Sequence, residues 1–285
     1  MGKDCDQRPI GIFDSGVGGL TTASSIYKLL PHESTIYVGD TAHIPYGNKS
    51  PERVYSLSKC IINFLLTKNV KMVVVACNTA SAVALDKLRE DFPQLPIIGV
   101  ILPAVKLALQ LTRNKRIGVI GTEGTIKSNT YKKHLLSFDK NIVVFQRPCP
   151  LLVPLVEEGL INHKITYEVL RYYLTPLIDK NIDTLILGCT HYPLLKKAIQ
   201  KVVPRKITLI DSANAVSSEV KKYLESHHLE NKTTQGKHLY YVTDAPEKFI
   251  HLAELFLDKS EKIRKVKKIC LGDCTCSVPS WKKQE

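Results

Sequence analysis

Val70-Lys-Met-Val-Val-Val-Ala-Cys77-Asn-Thr and Ile186-Leu-Gly-Cys189-Thr-His are the stretches whose reading decides the fold. The run from 70 to 76 is almost continuously apolar, as expected of a strand covered on both faces. Each stretch stops at a cysteine followed by amide, hydroxyl or imidazole side chains. A second pair echoes the first: Ile10-Gly-Ile-Phe-Asp-Ser-Gly against Ile117-Gly-Val-Ile-Gly-Thr-Glu-Gly, each a strand entering a glycine-containing turn at nearly the same offset between halves. The period is too long for a solenoid and implies two related α/β lobes.

Outward from these turns, the chain reads as strands alternating with helices. Asp14-Ser-Gly-Val-Gly-Gly leads into an apolar-periodic helix through Leu30, and 34–38 form a second strand. A long loop over 39–50 closes on a helix with Ser50 as N-cap and Pro51 in its first turn. Another helix follows Cys77 through Glu90, and Pro93, Pro96 and Pro103 mark the crossover between lobes. Strands at 207–210 and 238–243, with helices near 212–226 and 246–258, have no partner in the repeat and are expected to return to the first lobe. The expected fold is α/β: two pseudo-symmetric lobes with mainly parallel sheets and the site in the cleft between them. Residues 1–100 and 208–260 make the first, discontinuous lobe, 101–207 the second, and 261–285 a basic, cysteine-containing tail.

Composition narrows the class. The chain has 285 residues, enough for two independent cores. No stretch approaches the roughly 18 apolar residues of a membrane span, and Met1 to Ile10 lack the apolar core of a signal peptide, so a soluble, cytoplasmic protein is expected. Eight cysteines in a chain this long follow no secreted framework, and reduced thiols are expected. The net charge of +13 favours anionic partners. Its lysines are spread over many helices and gather at Lys259 to Lys268 and Lys282 to Lys283 with little aromatic interleaving, which reads as a solvated surface rather than a nucleic-acid groove. Cys270-x3-Cys274-x-Cys276 has too few matched ligands for zinc, and no metal is expected.

In open α/β sheets, ligands bind beyond the C-terminal strand ends, where unpaired N–H groups face anions. Asp14-Ser15, Cys77-Asn78-Thr79, Gly121-Thr122 and Cys189-Thr190-His191 all fall there. Gly16-x-Gly18-Gly19 has the wrong spacing for a dinucleotide fingerprint and no P-loop lysine, which leaves small-anion binding. Singly, each cysteine reads as a packing thiol, as Cys60 does within its helical pattern, His191 as a core histidine and Asp14 as a turn residue. Two thiols at equivalent turns of related lobes read differently. Helix starts would favour their thiolates, and Asp14 and His191 beside them become proton-handling groups.

The sequence resembles the bacterial glutamate racemases of the aspartate/glutamate racemase superfamily over roughly residues 8 to 260. The resemblance rests on Gly11-Ile-Phe-Asp14-Ser15-Gly-Val-Gly-Gly-Leu, Gly39-Asp-Thr-Ala-His-Ile-Pro-Tyr46-Gly47, Ala76-Cys77-Asn78-Thr79-Ala, Gly118-Val-Ile-Gly-Thr-Glu-Gly-Thr, Pro154-Leu-Val-Glu157-Glu158-Gly and Leu187-Gly-Cys189-Thr190-His191-Tyr-Pro. It implies that Cys77 and Cys189 alternate as acid and base, Cys77 facing the α-proton of D-glutamate and Cys189 that of L-glutamate, assisted by Asp14 and His191. It implies that Ser15, Asn78, Thr79 and Thr190 bind the α-carboxylate and ammonium, that Tyr46 and Gly47 hold the side-chain carboxylate, and that Asp14 and His191 also contact the substrate. Glu157 or Glu158 supplies a supporting carboxylate, the choice between them open. The resemblance further implies no cofactor, a homodimer, and D-glutamate destined for peptidoglycan.

Two rivals are weighed against this. Related racemases act on aspartate or other acidic carbon centres; they usually carry an acidic residue where this chain has His191, and the Tyr46-Gly47 loop favours glutamate. Some glutamate racemases inhibit gyrase, and the basic surface suits a regulator of DNA or gyrase, but such a role has no need of two intact cysteine turns.

Overall fold

The computed structural model describes residues 5–232, 235–257 and 261–272. Its strands are β1 (Ile10–Asp14), β2 (Thr35–Gly39), β3 (Met72–Val75), β4 (Ile97–Gly99), β5 (Arg116–Gly121), β6 (Val143–Pro148), β7 (Thr184–Gly188), β8 (Thr208–Ile210), β9 (His238–Val242) and β10 (Lys267–Lys268). They form a six-stranded sheet of order β10-β9-β2-β1-β3-β4 and a four-stranded sheet of order β6-β5-β7-β8. Every pairing is parallel, as strand–helix–strand crossovers require.

Strands β1, β3 and β7 lie inside their sheets and are buried along their whole length, which is why they read as unbroken apolar runs. Side chains alternate between faces. In β3, Met72 and Val74 enter one core, while Val73 and Val75 enter a second core beneath the helix Pro51–Leu66 with Leu57 and Ile61. The first core also takes Ile117, Val119 and Ile186 from the second sheet, together with Val105 and Val220 from the helices Ile101–Leu111 and Ala213–His227. One continuous apolar interior therefore joins the two sheets. The lysine in the 70–76 run is buried too, its Lys71 Nζ 2.6 Å from Glu33 Oε2 and donating to the Asp6 and Leu229 carbonyls.

The Ser50 cap forms as expected, its side chain accepting from the Arg53 amide at 3.2 Å with Pro51 opening the helix. Other expectations are corrected. The helix after Cys77 is interrupted at Ala84, giving Asn78–Val83 and Leu85–Asp91. Pro103 sits within the first turn of Ile101–Leu111, where a missing N–H is tolerated, rather than in a connection. Strand β8 pairs with β7 in the second sheet, so the chain returns to the first sheet only at β9, which pairs with β2. Ile207, Leu209 and Ile210 extend the core on that side. Within the tail, Lys267 and Lys268 form edge strand β10 beside β9, and Glu261 accepts from Ser24 at 2.8 Å, so this part is joined to the first sheet and is no free appendage. Cys60 is disulfide-bonded, against the expectation of reduced thiols throughout. Lys259, Cys274, Cys276, Lys282 and Lys283 lie outside the described residues.

Candidate active site

The C-terminal strand ends of the two sheets meet. A Cβ on Gly18, in the turn after β1, would lie 2.4 Å from Thr190 Oγ1 and 2.7 Å from His191 Nδ1, in the turn after β7. Elsewhere along the seam, Thr79 Oγ1 lies 2.9 Å from Thr122 Oγ1 and 3.2 Å from Thr125 Oγ1, beyond β5. A Cβ on Gly47 would meet Thr122 Cβ at 2.6 Å, so only glycine allows this approach of the 39–50 loop. The turns singled out in the sequence therefore face one another.

Cys77 caps the helix Asn78–Val83, its Sγ accepting from the Ala80 amide at 3.5 Å and donating to Ser15 Oγ at 3.8 Å. Burial, reinforced by the charge of Asp14, pushes the thiol up to about 12. The sequence argument that the helix start favours the thiolate is reversed here, because desolvation outweighs the few N–H groups of a single short turn. At neutral pH Cys77 is a proton-bearing acid.

The other thiol has a different neighbour. Cys189 Sγ lies 4.0 Å from His191 Nδ1, and His191 Nε2 is 3.0 Å from Glu157 Oε1. Burial alone would lower the imidazole, but Cys189 and Glu157 outweigh it and push His191 up to about 10. Its hydrogen bond to His191 holds Glu157 below the usual carboxylate range against the opposing effect of burial, with Lys248 assisting. An imidazolium thus stands between the Cys189 sulfur and a carboxylate, with the Phe256 ring edge-on at 5.3 Å. Glu158 is exposed at the end of the helix Leu152–Glu157, so the carboxylate that reaches His191 is Glu157.

Asp14 lies between these groups. It is fully buried, its Oδ2 accepting from the Gly16 amide at 3.1 Å while Oδ1 has no protein partner. Burial raises its pKa, opposed by the His191 charge and the amides of Gly16, Gly19 and Ser15. Electrostatic contact therefore runs from Cys77 through Asp14 and His191 to Cys189.

Around this line are groups that can hold a small zwitterion. Ser15 and Thr190 flank the thiols. The Asn78 Oδ1 is taken by Tyr131, whereas its buried Nδ2 has no protein partner. Tyr46 donates to Asp40 Oδ2 at 2.6 Å, and Asp40 Oδ1 also accepts from Thr243 Oγ1 and His43 Nδ1, each at 2.8 Å. The loop bearing Tyr46 and Gly47 is thereby anchored to the end of β9. Sequence reasoning missed Asp40, Tyr131 and Phe256. Asp40 stood inside a quoted motif, but the two rings look like ordinary core positions of amphipathic helices.

Two pockets flank the meeting turns. One of about 460 Å³ is lined by Gly47, Lys49, Val83, Glu123, Gly124 and Lys127; one of about 200 Å³ by Gly16, Val17, Ile44, Glu157, Lys248 and Phe249. Cys77 and Cys189 line neither and are 5% and 6% exposed. The thiols are therefore enclosed behind the meeting turns, and this enclosure is what desolvates Cys77.

Comparison with known proteins shows the family and the fold. A family model described as Asp/Glu/Hydantoin racemase matches residues 21–220. The glutamate racemase of Geobacter metallireducens is 47% identical over 251 residues, covering 88% of this chain and 93% of that protein. That of Persephonella marina is 46% identical, covering 92% and 98%. Among solved structures, the glutamate racemase of Francisella tularensis in complex with D-glutamate superposes with a TM-score of 0.88 at 39% identity, covering 94% of this chain and 99% of that one. An aspartate racemase from Picrophilus torridus, 20% identical with a TM-score of 0.51, shares the fold alone.

Proposed function

The chain belongs to the Asp/Glu/Hydantoin racemase family, and on that premise we propose that it is a glutamate racemase exchanging the α-proton of glutamate between Cys77 and Cys189 without a cofactor. The observation that carries this reading is the pair of dissimilar thiols on facing turns, Cys77 beside Ser15 and Asp14, Cys189 beside the His191–Glu157 pair.

The asymmetry suits one direction of the reaction. Cys189, whose sulfur lies 4.0 Å from the His191 ring, takes the α-proton of L-glutamate. Cys77, a protonated thiol, delivers a proton to the opposite face, giving D-glutamate. In the reverse direction the roles exchange. Such general acid–base transfer contributes ~10²–10⁴-fold. Removing an α-proton without an electron sink also demands electrostatic stabilisation of the carbanion-like state, and the enclosed donors answer that demand. Ser15, Thr190 and the free Asn78 Nδ2 meet the α-carboxylate, Asp14 the ammonium, and the Tyr46–Gly47 backbone the side-chain carboxylate. Thr79 acts mainly through Thr122 and Thr125, which its hydroxyl already engages. Glutamate is favoured over aspartate by the many relatives bearing its name.

Three finer assignments complete the reading: supply of D-glutamate to peptidoglycan, a cytoplasmic location and a homodimer. They rest on the family resemblance. Among the described residues, no helix is long and apolar enough to cross a membrane. The test is circular dichroism of L-glutamate with purified protein and no added cofactor, beside L-aspartate. The signal should decay to zero for glutamate alone, and persistence of the glutamate signal would refute the reading.

A further inference from the structure

Tyr131 is fully buried on the helix Thr130–Phe138, and it touches the turns of both cysteines. Its hydroxyl donates to Asn78 Oδ1 at 2.7 Å, one residue beyond Cys77. Its ring lies on Gly188, one residue before Cys189, where an added Cβ would meet Tyr131 Cε2 at 3.1 Å and the Ile120 carbonyl at 2.7 Å. A side chain at 188 would push the ring away, so the glycine and the tyrosine fit as a pair.

The hydroxyl settles which end of the amide is left without a protein partner. The two ends of an asparagine amide have nearly the same shape, and the hydrogen bond at one end decides the orientation. A hydroxyl that accepted from Nδ2 would leave its own proton without an acceptor in a fully buried place, a loss larger than the bond is worth. With Oδ1 held by Tyr131, Nδ2 is a buried donor with no protein partner. Buried donors are nearly always paired, so this one is set for an acceptor supplied by a ligand.

We infer that Tyr131 is a positioning residue for racemisation: it holds the Asn78 amide with its NH2 toward the substrate's α-carboxylate and seats that turn against the turn of Cys189. The inference rests on the proposed role of Asn78 as a substrate ligand.

The experiment compares Tyr131→Phe, Asn78→Ala, the double variant and Asn78→Asp in full-length protein, reading kcat, KM and the thermal melt. Tyr131→Phe keeps the ring on Gly188 and should keep the native melt, while kcat/KM for glutamate falls roughly tenfold or more, chiefly through KM, as loss of one oriented bond to a charged group entails. Because Tyr131 acts through Asn78, the double variant should fall no further than Asn78→Ala. Multiplicative losses in the double variant would overturn the inference, as would wild-type kinetics in Tyr131→Phe. Asn78→Asp keeps an acceptor for Tyr131 but removes the unpartnered donor, so its kcat/KM should fall at least as far as that of Asn78→Ala. Retained activity there would overturn the inference even if Tyr131→Phe failed to fold. If Asn78→Ala leaves kcat/KM unchanged, the substrate role of Asn78 fails and the inference with it. An inactive wild type would instead refute the proposed reaction.

Discussion

Replacing Glu157 with glutamine keeps a hydrogen-bond acceptor beside His191 Nε2 and removes the charge. His191 stands at about 10 against a usual value of 6.5, although burial alone would move it the other way. At 1.36 kcal/mol per pH unit, that elevation amounts to about 5 kcal/mol of preference for the imidazolium. Cys189 and Glu157 both hold it up against burial, so loss of the carboxylate should bring His191 down by on the order of 1 pH unit or more. In the proposed mechanism the imidazolium charge stands beside the Cys189 sulfur as it takes the α-proton. The alkaline limb of kcat/KM for L-glutamate should therefore move to lower pH by about that interval, while activity near neutrality falls less. The assay is circular dichroism over a pH series for both enzymes; titration of the substrate's ammonium is common to the two and drops out of the difference. Stability follows the same sign. A raised folded-state value means that the His191 contribution is complete below about 6.5 and is lost as pH rises through about 10, so wild type should melt progressively lower over that range and Glu157→Gln should show a smaller change. A variant whose alkaline limb overlays that of wild type would refute the reasoning, as would an activity loss fully matched by a lower melt.

In deuterated water, D-glutamate formed from L-glutamate should carry deuterium from the earliest turnovers while the remaining L-glutamate stays protiated; early product retaining its α-proton would contradict two separate bases. Asp14→Asn removes the charge that helps raise Cys77, so thiolate absorbance of Cys77 should appear at lower pH than the wild-type value of about 12, with turnover reduced more than glutamate binding. An unmoved thiol titration would remove Asp14 from the electrostatic line. Gly47→Ala brings a Cβ to 2.6 Å from Thr122 Cβ and should raise KM for glutamate at least tenfold, with partial recovery on adding Thr122→Gly; no recovery would place the defect elsewhere.

Local pattern was enough for the strands and the thiols. An apolar run that ends at Cys77 or Cys189 and turns polar is a strand feeding a buried turn, because a covered parallel strand must be apolar on both faces and its C-terminal end opens on the ligand crevice. Repetition of that pattern pointed to two related sheets, and the ordered motifs identified the family. What depended on distant contacts was not legible. The apolar segment at 207–210 says that a strand forms but not which edge receives it, and the structure pairs it with β7. Glu157 and Glu158 are equivalent as neighbours in sequence; the phase of a single helix turns one to His191 and the other to solvent. Tyr131 carries the pattern of a core ring, and only the fold brings its hydroxyl to Asn78; Tyr46 stood in a legible loop motif, but its hydrogen bond to Asp40 did not show there. The protonation of Cys77 and the surroundings of Cys189 depend most on the tertiary structure. A helix start argues for a thiolate at Cys77, yet enclosure by turns from both sheets desolvates it and the nearby Asp14 charge repels it, while Cys189 in an equivalent turn meets an imidazolium. Sequence placed two thiols; packing made one an acid and set the other beside a cation, because desolvation and charge are sums over neighbours that only the folded chain assembles.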